Sequence, residues 1–322
     1  APMPLLRATQ VVVSVGILVL LCRTVDLPLL LRTLASARVA PLGLAVVIFF
    51  LGLLLRAVRW MAILNKERRE VGFVDSLLVT LVGGALNLFL PATSGEVAKS
   101  VYAYHRTGIR ERAVAGSVVD KLVALLAAGL LGLVPSVAYR LWDLAGYNLL
   151  LVALLAVLVY FPRVLPWKLV TKLLRGLRVE TRLDELKDGS ALTPRLHAAC
   201  LVLSLLAWAT TFVSVYFLFV AIRAENVSLG KVFMVVPLTT VARLFPFTLD
   251  GIGTAEAASV YFFGRAGIAP EAALAAQLLS RLIGSYLVGG LGALVMLCTG
   301  SRRGARPSAH GRRVTDKEAA ES

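Results

Sequence analysis

Histidine, cysteine and charge are all scarce in this chain, and each shortage closes off a class of function. Three histidines, His105, His197 and His310, are too few and too scattered for a catalytic dyad, and no HExxH, GxSxG or phosphate-loop pattern occurs. The expectation is a protein with no cofactor, no bound metal and no enzyme chemistry. The cysteines, Cys22, Cys200 and Cys298, all fall in apolar runs, spaced for neither a disulfide framework nor a zinc site, and read as small apolar side chains. Charged residues make up 16% of the chain, against roughly 25% in an ordinary soluble domain, which excludes a fully solvated surface. Acids are the shorter side, with 19 Asp and Glu against 34 Lys and Arg, for a formal net charge of +15. The basic residues sit in loops and at helix ends, so the surplus points to anionic lipid and away from nucleic acid.

Apolar length is what the chain has in abundance. It is 58% hydrophobic with a mean hydropathy of +0.81. Leu42–Leu64, Ala113–Val137, Leu196–Ile222 and Ala272–Cys298 each supply about 20 or more largely apolar residues, enough to cross roughly 30 Å of hydrocarbon. The first 20 residues resemble a signal peptide, with Arg7 before an apolar run. No small-x-small cleavage pattern follows, so a retained first helix is expected, its boundaries and orientation left open.

Charge sets the topology. The basic clusters Arg56–Arg69, Arg106–Arg112, Arg163–Arg195 and Arg302–Lys317 fall on one side of the membrane, leaving Arg23, Arg32, Arg38, Arg140, Arg223, Lys231 and Arg265 opposite. The first side is therefore the cytoplasm, with both termini there. Val74–Tyr104 then starts and ends on the cytoplasmic side, yet is too short for two crossings. Its centre is broken by Pro91 and Gly95, which remove a donor and permit a bend. Val232–Gly264 starts and ends on the outer side and is broken around Pro246, Gly251 and Gly253.

These segments predict an all-α polytopic membrane protein with about six full spans plus two oppositely oriented re-entrant helical hairpins in an inverted repeat. A single transmembrane domain is expected over residues 1–300, with repeat halves at about 41–137 and 196–298 joined by 138–195. Within the junction, residues 167–187 have Leu169, Val170, Leu173, Leu174 and Leu177 at helical spacing and basic residues on other faces. This reads as an interfacial amphipathic helix, or alternatively a solvated linker helix. Residues 301–322 read as a disordered basic cytoplasmic tail.

Charges at membrane depth cost about 2.5–3.5 kcal/mol each and are functional candidates by default. They are Glu96, Lys99, Asp120, Lys121, Arg243, Asp250, Glu256 and Arg281, four acids and four bases that could neutralise one another. Glu96 and Glu256 each follow a break by a few residues, where helix capping competes with a role at a cavity. Asp120, Lys121 and Arg281 lie deep in long helices, where a structural salt bridge is the plain alternative. Arg56 and Arg59 are expected to snorkel from a helix end, and His105 to sit at the interface.

At these residues the chain resembles the flippase-like membrane domain of lysylphosphatidylglycerol synthases. Asn87-Leu88-Phe89-Leu90-Pro91-Ala92-Thr93-Ser94-Gly95-Glu96 matches that family's N-x-x-x-P-x-x-x-G-E, and Val118-Val119-Asp120-Lys121 its V-x-D-[RK]. Pro246 with Asp250-Gly251-Ile252-Gly253-Thr254-Ala255-Glu256 is similar to P-x-x-x-G-G-x-G-x-x-E, and Arg281 falls where the family has an arginine in its last long helix. The likeness covers about residues 10–300. Asp250 departs from the family's commoner glycine, and Lys121 from its commoner arginine. Nothing after residue 300 has the pattern of an aminoacyl-transferase domain, so the resemblance implies lipid translocation without aminoacylation.

The expected function is therefore flippase- or scramblase-like movement of a phospholipid across the bacterial cytoplasmic membrane, through a cavity between the hairpins. Its site would comprise Pro91, Gly95, Glu96, Lys99, Asp120, Lys121, Arg243, Pro246, Asp250, Gly251, Gly253, Glu256 and Arg281. The partners expected are membrane lipids, anionic phospholipid first, with a homo-oligomer or a lipid-modifying enzyme left open. A secondary transporter of a small solute or ion, and a non-transporting partner of a lipid- or glycan-modifying enzyme, are the alternatives.

Overall fold

A computed structural model describes residues 3–65, 71–89, 110–160, 193–244 and 248–300, and no strand occurs among them. Helix α1 (Met3–Thr24) meets α2 (Leu27–Ala35) at a bend of 91°. The bend is built by Asp26, whose Oδ1 accepts the Leu29 N–H at 3.0 Å, capping a helix that carries a proline in its first turn. There follow α3 (Val39–Leu64), α4 (Phe73–Phe89), α5 (Arg110–Ala138), α6 (Trp142–Tyr160) and α7 (Pro194–Ala221). Next come α8 (Leu229–Arg243), a 3₁₀ turn (Leu249–Gly251) and α9 (Thr254–Arg265). Helix α10 (Pro270–Arg281) continues through a π-helical turn (Leu282–Leu287) into α11 (Val288–Gly300).

Five stretches among the described residues are long and apolar enough to cross a membrane: Val39–Leu64, Asp120–Ala138, Trp142–Tyr160, Pro194–Ala221 and Pro270–Cys298. The bent α1–α2 pair makes a sixth if it is one span. The chain is thus an all-α, multi-pass membrane protein, as its apolar runs predict. Backbone polar groups have no water to turn to in hydrocarbon, so such runs have little choice but to be helical.

Helix α3 packs along α7, α4 along α11, and α8 along both α5 and α9. The α8–turn–α9 unit is the described counterpart of the second expected hairpin, although Pro246 lies outside the described residues. Only the α4 arm of the first expected hairpin is described. Residues 90–109, 167–187 and 301–322 also lie outside, and with them Pro91, Gly95, Glu96, Lys99, His105, the expected interfacial helix and the tail.

Small residues set the closest helix approach. A Cβ on Gly292 of α11 would overlap the Leu81 carbonyl of α4, and one on Gly84 would lie 2.8 Å from Val288 Cγ1. Aromatic edges hold the other half: Phe212 meets Phe233 at 5.0 Å between centroids, and Phe219 meets Phe263 at 4.9 Å, so α7 anchors both α8 and α9. Asn148 of α6 is fully buried, and its Nδ2 donates to Ser136 Oγ of α5 and to the Leu144 and Met234 carbonyls. One side chain thereby ties three helices. The three cysteines are unbridged; Cys200 is buried, while Cys22 and Cys298 stand on the outer surface.

Candidate functional site

Helix α8 ends at Arg243, and the chain re-enters a helix only at Thr254. The turn between them uses left-handed backbone at Asp250 (φ 46°), Gly251 (φ 68°) and Gly253 (φ 89°). Such a break strands backbone groups that a continuous helix would bond, which is costly inside a membrane. Side chains repair it. Glu256 Oε2 accepts the Gly253 N–H at 2.8 Å, while its Oε1 accepts from Arg281 Nε at 2.7 Å. Arg281 also donates from Nη1 to the Asp250 carbonyl at 3.0 Å and from Nη2 to the Gly251 carbonyl at 3.2 Å. Glu256 is therefore both cap and counter-charge.

Asp250 stands between two arginines. Its Oδ2 lies 3.2 Å from Arg281 Nη1 and 2.7 Å from Arg243 Nη2, which also reaches Oδ1 at 2.8 Å and Ser285 Oγ at 2.6 Å. Two guanidinium groups face two carboxylates, so the cluster is neutral as a set. Arg281 and Glu256 are almost completely enclosed, whereas Arg243 is one-third exposed.

A second ion pair joins the long helices. Arg59 Nε of α3 donates to Asp120 Oδ1 of α5 at 2.6 Å, and Nη1 to Ser204 Oγ of α7 at 2.9 Å. Arg56, one turn earlier, donates to Thr211 Oγ1 at 2.7 Å and lies over the rings of Phe49 and Trp208 at 5.3 and 5.8 Å. The expectation that Arg56 and Arg59 snorkel is corrected here. Both guanidiniums start more than a turn before the helix end at Leu64, and each finds polar partners on neighbouring helices, so they turn inward.

Both clusters border a partly open cavity of about 270 Å³ lined mainly by α3, α4, α5, α7, α8 and α10. Arg56, Arg59, Asp120, Lys121, Arg243 and Asp250 line it, beside an apolar wall that includes Phe49, Leu53 and Val236. Asn87 of α4 also lines it, with a buried Oδ1 that meets no donor among the described residues. Of the residues singled out from sequence, Asp120, Lys121, Arg243 and Asp250 come together on its wall. Gly251, Gly253, Glu256 and Arg281 lie behind that wall and build the turn. Gly253 is pressed against α1, where a Cβ would come within 3.0 Å of Ile17 Cβ.

Sequence reasoning missed Ser204, Thr211 and Ser285, whose ordinary hydroxyls carry no motif. It could have found Arg59, because a deep acid such as Asp120 asks for a base at matching depth. Among the described residues, no cluster of three or more His, Cys, Asp or Glu side chains could hold a metal ion.

Two comparisons bear on this arrangement. Residues 7–292 match the family described as the lysylphosphatidylglycerol synthase TM region. A UPF0104 membrane protein of Methanothermobacter thermautotrophicus is 24% identical over 291 residues, covering 80% of this chain and 85% of the relative. The family match takes in both ion-pair clusters, every wall of the cavity and the turn that bears Asp250, and on that extent the chain belongs to the family of the lysylphosphatidylglycerol synthase transmembrane region.

Proposed function

We propose that this chain translocates a phospholipid between the leaflets of the cytoplasmic membrane, without acting on it as an enzyme. One observation carries the reading: the cavity among the membrane-crossing helices sets Arg56, Lys121 and Arg243 beside Asp120, Asp250 and an apolar wall. Phosphate seeks the guanidinium and ammonium groups, and the apolar wall tolerates the start of the acyl region. The family's name, that of enzymes making a lysyl-modified phospholipid, supports lipid as the cargo.

In this reading the halves at about 41–137 and 196–298 are inverted repeats, each with a re-entrant hairpin. Glu96 and Lys99 complete the site from the first hairpin, and the basic loops face the cytoplasm. The test is reconstitution into liposomes carrying fluorescent phosphatidylglycerol, phosphatidylethanolamine or lysyl-phosphatidylglycerol. Dithionite should quench the inner-leaflet label in protein-containing vesicles and leave about half protected in empty ones. Equal protection in both, for all three lipids, refutes lipid translocation and returns the solute-transport reading to the front.

A further inference from the structure

Asp250 divides its carboxylate between two guanidinium groups of unlike standing. Arg281, at 4% side-chain exposure, is committed to Glu256 and to the carbonyls of the turn. Arg243, at 33%, opens on the cavity. Its bonds crowd one edge: Nη2 serves both Asp250 oxygens and Ser285, Nε leans on Asp250 Oδ1, and Nη1 has no hydrogen-bond partner among the described residues. A guanidinium carries five N–H donors in a fixed fork, so the Nη1 pair is left over on a side chain that lines the cavity.

Asp250 also sits at φ 46°, ψ 30°, a conformation that glycine holds freely and most side chains avoid. Backbone of this kind is kept where the side chain it presents has a use. Here it presents a carboxylate to the arginine that faces the cavity.

We propose that Asp250 is a resident competitor for a phosphate site on Arg243. An incoming phosphoester anion takes the Arg243 fork, and Asp250 shifts onto Arg281, which already lies 3.2 Å from its Oδ2. Carboxylate and phosphate oxygens match the same fork geometry, so the exchange is like for like. Neither partner is stranded as a lone charge at any stage, the condition that makes a buried exchange feasible. The competitor also keeps affinity low, which a translocation site needs if its ligand is to leave again.

The ligand's other end is constrained as well. Asn87 Oδ1 lines the same cavity with no donor among the described residues, so a hydroxyl or ammonium beside the phosphate is the complementary group. Phosphoglycerol and phosphoethanolamine both carry one. The cavity's 270 Å³ equals about nine waters at ~30 Å³ each, room for such a headgroup with the acyl chains outside. The inference rests on the lipid reading of this cavity and adds to it how the phosphate is held and released.

The experiment is calorimetric titration of the detergent-purified full chain with inorganic phosphate, sn-glycerol 3-phosphate and dihexanoyl phosphatidylglycerol. Asp250→Gly and Asp250→Asn both suit the left-handed backbone, and Glu256 keeps Arg281 paired in each. Either variant should bind glycerol phosphate and the short-chain lipid about ten- to a hundredfold more tightly than the wild type. Adding Arg243→Gln should erase that gain. A gain shared with inorganic phosphate identifies a bare phosphate site, and one confined to the lipid identifies the headgroup. Unchanged or weaker binding in both Asp250 variants at wild-type thermal stability overturns the proposal, as does a gain that survives Arg243→Gln. Failure here with lipid still moving in liposomes sinks only the competitor; tighter binding with no lipid movement sinks only the translocation reading.

Discussion

Removing Asp120 separates the energetic consequences of a buried ion pair from those of packing. Arg59 and Asp120 meet at 2.6 Å with side-chain exposures of 5% and 9%, and Ser204 accepts a second bond from the same guanidinium. Asp120→Ala leaves that guanidinium enclosed with its counter-charge gone. Stranding one member of such a pair costs about 3–5 kcal/mol. At ~2–4 °C per kcal/mol for a domain of this order, the thermal midpoint should fall by about 6–20 °C. The double variant Arg59→Met, Asp120→Leu removes both charges and refills the space, and should recover most of that loss or exceed the wild type by about 1–4 kcal/mol. Tryptophan fluorescence on heating in detergent is a suitable assay, since Trp60, next to Arg59 in the chain, is buried against Leu64, Val71 and Val79. A double variant as unstable as Asp120→Ala would refute the reasoning, because the loss would then belong to contacts other than the pair. The same protein in liposomes gives a second answer. Lipid movement retained in the double variant makes the pair architectural, and movement lost at full stability places Arg59 in the headgroup's path.

Gly292→Val drives a side chain into the Leu81 carbonyl and should cost at least about 1–3 kcal/mol, read as a lower thermal midpoint; an unchanged midpoint would mean that α4 and α11 slide apart freely. Asn148→Leu abolishes three hydrogen bonds joining α5, α6 and α8 and should cost about 1–3 kcal/mol by the same measurement. Asp143→Asn breaks the exposed 2.6 Å pair with Arg265, and the midpoint should stay within error at both low and high salt. A clear fall confined to low salt would show that this surface pair holds α6 to α9.

The spans were legible because hydrocarbon leaves few alternatives. The expected Leu42–Leu64, Leu196–Ile222 and Ala272–Cys298 lie within three residues of the observed Val39–Leu64, Pro194–Ala221 and Pro270–Cys298. Among the described residues, Asp120, Arg243, Asp250, Glu256 and Arg281 were legible as charges needing partners, since each is expensive unless paired. Their partners were not. That Arg243 should take Asp250 and Arg281 take Glu256 depends on a turn whose backbone is set by left-handed residues, and on a π-helical turn that follows Arg281. Arg59 shows the failure most plainly. Its place five residues from the end of an apolar run suggested an escape to the headgroups, whereas its side chain turns inward to Asp120 on another span. Sequence separation of 61 residues hides such a pair from any local pattern.

The charges around the turn between α8 and α9 follow from the break itself. A chain broken between two packed helices leaves the Asp250 and Gly251 carbonyls without their ordinary donors, at about 1–3 kcal/mol each if nothing else binds them. Arg281 supplies both bonds. A buried arginine then demands a carboxylate, which Glu256 provides, and that carboxylate's second oxygen demands a donor, which the Gly253 N–H provides. The sequence of demands closes on those residues and accounts for three of the four charges in different degree: Arg281 and Glu256 wholly, Asp250 through one of its two arginines. Arg243 is not needed to close it. Among the described residues no carbonyl of the turn accepts from it; it reaches to the cavity, and its charge is met by a carboxylate that also touches Arg281. A charge that the turn does not need to close its own hydrogen bonds, held on the cavity wall, is where the structure departs from architecture.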